Sequence, residues 1–143
     1  MGAGVETQNG RNSMTKFTTA ILGAAALALA PVAACAGDAH GEIVTAETHA
    51  TLAAGASDIA TVHMHLHHTL NCLAGPAGAG FDAKQMNPCA NSGAGAIPDA
   101  GDAAKKASLR KAADEAAKGI AESDLAKSQK DASDTAALLK AQE

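Results

Sequence analysis

Residues 57–75 read SDIATVHMHLHHTLNCLAG, and how this stretch folds decides the architecture. Ile59, Val62, Leu66, Leu70 and Leu73 recur at spacings of three and four, the period of one helix face. Ser57 stands ahead of them as an N-cap, and Gly75-Pro76 is a stop signal at the far end. A strand competes over residues 62–67. There Val62, Met64 and Leu66 alternate with His63, His65 and His67, which on a strand would put three imidazoles on one face. Nothing else in the chain supplies the strands needed to complete a sheet, so a helix is expected.

Upstream, the helical pattern extends back to Glu42, giving a helix over about 42–73. Gly55 and Ser57 leave room for residues 42–54 to form a separate helix. Ala46, Ala50, Ala53, Ser57 and Ala60 form a small-residue seam that would let a partner helix come close. Downstream, residues 74–101 are rich in Gly, Pro and Asn and read as a connection. A second helical stretch over 102–142 carries sparse anchors: Leu109, Ala113, Ala116, Ile120, Leu125, Ala132 and Leu139. Asp99 or Asp102 can cap its start, and a phase slip between Gly119 and Ser123 predicts a kink or a second cap at Ser123. The i,i+4 pairs Arg110–Asp114, Lys111–Glu115, Asp114–Lys118 and Lys118–Glu122 mark a solvated face. The expected fold is all-α: a small Ala-rich helical hairpin or up-down bundle of two to four helices around a disulfide-tied connection.

Composition narrows the function. The chain has 143 residues, a formal net charge of −4, no Trp, no Tyr and two Phe. Alanine supplies about a quarter of it, several times the ordinary share. A mildly acidic chain with neither a basic patch nor an aromatic platform is not built for nucleic acid. Few large apolar side chains exist to line a catalytic pocket, so no enzyme and no nucleotide cofactor is expected. Leu, Ile, Val and Phe make up only about a seventh of residues 37–143, which predicts a thin, alanine-lined interface. Alanine's helix propensity still favours real helices.

The N-terminal region carries an address. Residues 14–36, MTKFTTAILGAAALALAPVAACA, place Lys16 before an apolar run, then Pro31 and small residues, the grammar of a bacterial secretory signal peptide. Residues 1–13 read as a non-native upstream extension, leaving 37–143 as a single small helical domain. Ala34-Cys35-Ala36 fits cleavage before Gly37 and soluble export to the periplasm or medium. Val32-Ala33-Ala34-Cys35 fits a loose lipoprotein box that would acylate Cys35 and tie the chain to the outer membrane. In either case Cys72 and Cys89 remain as a pair, expected to form a disulfide in an oxidising compartment.

The histidines carry the chemistry. His63, His65, His67 and His68 lie within six positions, with Met64 among them. On a helix His63 and His67 share a face at i,i+4, suited to one transition-metal ion, Cu, Ni or Zn. His65, His68, Met64 and His49 are auxiliary ligands; His49 joins the His63/His67 side if the helix is continuous, and His40 if the N-terminus folds back. Haem attachment is excluded, since no Cys-x-x-Cys-His occurs. The expectation is an exported, non-catalytic metal-binding helical protein. The competing expectation is an envelope structural or interaction protein, or a lipoprotein, with unligated His and a helical partner or self-association.

Overall fold

The computed structural model describes residues 37–143. The expected extension, signal sequence and Cys35 lie outside the described residues. Five helices and no strands are found among those described: α1 Ala39–Gly55, α2 Ile59–Ala74, α3 Ala96–Asp99, α4 Ala103–Ala121 and α5 Leu125–Lys140.

Each long helix starts at an aspartate. Asp38, Asp58, Asp102 and Asp124 accept from the backbone N–H groups of Gly41, Thr61, Lys105 and Lys127, satisfying donors that the first helical turn leaves unpaired. Two expected caps therefore move by one residue, from Ser57 to Asp58 and from Ser123 to Asp124. A carboxylate is the stronger acceptor, and Asp58 also takes the Thr61 hydroxyl at 2.7 Å. The expected helix 42–73 is broken at Ala56–Asp58, because the chain turns there and α2 runs back along α1. In the same way 102–142 divides into α4 and α5 around Ser123. The 74–101 connection, whose composition predicts loop throughout, contains one helical turn, α3.

The long helices neighbour one another in the order α1, α2, α4, α5 and back to α1. Both tight turns lie at one end, where Gln129 Nε2 donates to Ala56 O at 2.8 Å and His63 Nε2 donates to Glu122 O at 2.9 Å. Neighbouring helices thus run antiparallel. The core is small: Ile43, Val62, Leu66, Leu73, Leu109 and Leu139 are fully buried, and the remainder is mostly alanine. Ala46, Ala50 and Ala53 of the seam are also fully buried within the chain, whereas Ser57 and Ala60 are exposed. Gly119 marks a close approach of α4 to α2 and α5: a Cβ there would lie 2.7 Å from Leu66 Cδ1 and 3.2 Å from Asp131 Cβ.

The connection is held at two neighbouring points. Cys72 and Cys89 form the expected disulfide. One residue earlier, fully buried Asn71 donates from Nδ2 to the carbonyls of Asp82 and Met86, each at 3.0 Å, and accepts from Asp82 N–H at 2.8 Å. Gly75 ends α2 with φ 65°, a conformation glycine adopts without steric penalty. Asn71→Ala should destabilise the protein by about 2 kcal/mol, since it strands buried backbone groups of the loop. Reduction of the disulfide should cost about 3 kcal/mol. Urea unfolding of wild type, variant and reduced protein measures both.

Candidate metal centre

The α1–α2 hairpin assembles the cluster. When two antiparallel helices fold about residue 57, positions equally distant from it face each other, and 49 and 65 are such a pair. Thr69 Oγ1, donating to Ala46 O at 3.1 Å, marks the same register further along. His49 Nδ1 lies 3.1 Å from His65 Nδ1. His68, one turn beyond His65, sets its ring edge-on to both, with centroids 5.0 Å from His49 and 5.7 Å from His65. One nitrogen from each of the three lies within 4.8 Å of the others.

Three of the chain's six histidines therefore meet across two helices, while the pair expected to lead does not join them. His63 is turned toward the α4–α5 turn, where its Nε2–H holds the Glu122 carbonyl. His67 Nδ1 faces the connection, 3.8 Å from Asp82 Oδ2. Residues 63 and 67 share a helix face, as their spacing dictates, but that face meets other groups. His49 sits beside His65 and His68, because the hairpin, not a continuous helix, sets its position. Met64 is 38 % exposed on α2, and His40 is exposed on the first turn of α1. The signal that would have found the triad is the pivot at residue 57.

The cluster is electrostatically unusual. Burial, then repulsion from His68 and His65, pushes the His49 pKa from its ordinary 6.5 down to about 4. Burial and the neighbouring His65 and His67 lower that of His68 as well. In the His49–His65 contact one ring donates and the other accepts, so protonating both would set two N–H groups against each other. His68 Nδ1 is buried with no hydrogen-bond partner among the described residues. Neutral His49 and His68, the latter with its buried Nδ1 lone pair unspent, are in the state that coordinates a metal.

Geometry permits it. Nitrogens about 2.0–2.1 Å from one tetrahedral ion stand about 3.3 Å apart. The His49–His65 separation is already close to that. A second acidic group, Glu115, Asp131 and Asp134, has its cation built in: Lys118 Nζ lies 3.0 Å from Glu115 and 2.7 Å from Asp131.

Acid should act on the fold through His49. Unfolded, its ring takes up a proton near pH 6.5; folded, it resists to about 4. The stability it contributes is present above 6.5 and is lost as pH falls toward 4. His49→Leu should therefore gain in melting temperature relative to wild type across that window. A difference that does not change with pH would contradict the neutral ring.

No known protein family matches the chain, nor does any curated protein or solved structure.

Proposed function

We propose that the protein is an exported, non-catalytic helical protein that binds a transition-metal ion, Cu, Ni or Zn, through His49, His65 and His68. The observation that carries this reading is the convergence of three nitrogens, from two helices, within 4.8 Å of one another. The low proton affinity of His49 and His68 supports it, because imidazole must be neutral to coordinate. Three imidazoles leave a fourth position open on a tetrahedral ion, for water or for a group delivered by a partner. With Cu(I), Met64 would supply a soft thioether one turn from His68. The disulfide is consistent with an oxidising compartment, and no described helix is long and apolar enough to cross a membrane.

Calorimetric titration with Cu(II), Ni(II) and Zn(II) at pH 7.5 tests the assignment. One ion should bind per chain, with micromolar or tighter affinity. Binding should vanish in His65→Ala/His68→Ala and survive in His63→Ala. At a hundredfold excess over Kd, metal should stabilise the fold by about 2.7 kcal/mol. Absence of heat with all three metals would overturn the reading in favour of an envelope interaction protein with unligated histidines.

A further inference from the structure

At the other end of α1 from the tight turn, two carboxylates share a corner with the start of the described chain. Glu42 is fully buried in the first turn of α1. Its Oε1 accepts from Gly95 N–H at 3.0 Å, and its Oε2 has no partner among the described residues. Asp99, at the end of α3, lies beside it and accepts from Ala94 N–H at 2.7 Å. The Asp38 charge also acts on Glu42, more weakly than that of Asp99. No basic side chain among the described residues pairs with Glu42 or Asp99. Burial, then repulsion from Asp99 and a proton shared with it, with Asp38 adding to both, outweigh the Gly95 hydrogen bond and raise the Glu42 pKa to about 7. A buried acidic pair with an oxygen left over is short of one cation.

Gly37 is placed where that cation would come from. Asp38 N–H donates to Ser92 O at 2.8 Å, which pins the backbone against the 92–95 segment. Gly37 packs so tightly against the Asp99 carboxylate that a Cβ on it would collide with Asp99 Oδ2. The nitrogen on the same Cα is thus within ion-pair reach of that oxygen once it is a chain terminus free to rotate. In the uncut chain this nitrogen is a neutral amide. In sequence, Gly37 follows Ala34-Cys35-Ala36, a small-x-small signal.

We propose that cleavage between Ala36 and Gly37 creates an α-ammonium group for which Glu42 and Asp99 form the built-in receptor. The inference rests on the export reading above. Hydrolysis by a signal peptidase breaks the Ala36 C–N bond. Water supplies the hydroxyl to the Ala36 carboxyl and a proton to the Gly37 nitrogen, which takes a second proton from solvent at neutral pH. The new cation sits among carboxylate oxygens that otherwise hold an uncompensated charge or a trapped proton. Processing therefore completes the fold at the corner where α1, α3 and the connection meet. The same geometry selects the terminus, since acylation at Cys35 would leave residues 35 and 36 attached and Gly37 as an amide.

The full-length gene is expressed in an exporting bacterium, and the protein outside the cytoplasm is analysed by intact mass and N-terminal sequencing. It should begin at Gly37. Its α-amino pKa, followed by pH-dependent acylation of the terminus, should lie at least about one unit above the ordinary value near 8, and should return there in Asp99→Asn. Should that variant not fold, the wild-type value decides. Exported protein starting at acylated Cys35 or elsewhere, or a Gly37 amine of ordinary pKa, overturns the proposal and leaves export standing. Retention of the uncut chain in the cytoplasm overturns both.

Discussion

Alanine at the helix interfaces is the constraint from which the rest of the structure follows. Ala46, Ala50, Ala53, Ala112, Ala116 and Ala132 are all fully buried, and each hides little apolar area while letting backbones approach. Close backbones bring main-chain carbonyls of one helix within reach of short side chains on the next. Thr69 holds the Ala46 carbonyl and Ser128 the Gly119 carbonyl, with Gln129 and His63 doing the same at the turns. In a larger core such bonds would be spare. Here they supply much of the specificity that bulky side chains would otherwise provide.

The same closeness makes the histidine cluster. Two helices separated by leucines could not set His49 Nδ1 3.1 Å from His65 Nδ1 without strain, whereas Ala46, Ala50 and Ala53 leave the hairpin narrow enough. Burial then acts with opposite sign on the two kinds of titratable group. It lowers the proton affinity of His49 and His68 and raises that of Glu42, each time favouring the neutral form. Both places hold polar atoms without partners, His68 Nδ1 in one and Glu42 Oε2 in the other. Lone pairs on neutral imidazoles suit a metal, and carboxylate oxygens beside Gly37 suit the ammonium group that the proposed cleavage would create.

The connection obeys a related logic. Outside the short α3, a run this rich in glycine and proline has no helix or sheet to satisfy its backbone, so its polar groups need a partner from the core. Asn71 provides it with both ends of one amide, and the adjacent disulfide joins the same helix turn to Cys89. Composition reveals turn chemistry in residues 74–101. It does not reveal that a single buried amide organises them, because the bonds span 11 to 15 residues.

Local patterns settled the helical character of the chain, the apolar face through Val62 and Leu66, the pairing of Cys72 with Cys89, and the histidine-rich segment. Each depends on neighbours within a few turns or on a count of cysteines, which the order of residues carries directly. The choice among histidines was a tertiary matter. Spacing puts His63 and His67 on one face but does not say what that face meets; folded, it meets the Glu122 carbonyl and Asp82. His49, 16 residues before His65, becomes its neighbour only because the break at Ala56–Asp58 reverses the chain. Likewise Glu42 reads in sequence as an ordinary first-turn acid, favourable toward the helix dipole. Only the packing of α3 and the connection over it, with Asp99 alongside, turns it into a buried carboxyl in want of a cation, because burial and charge pairing are properties of residues brought together from distant positions.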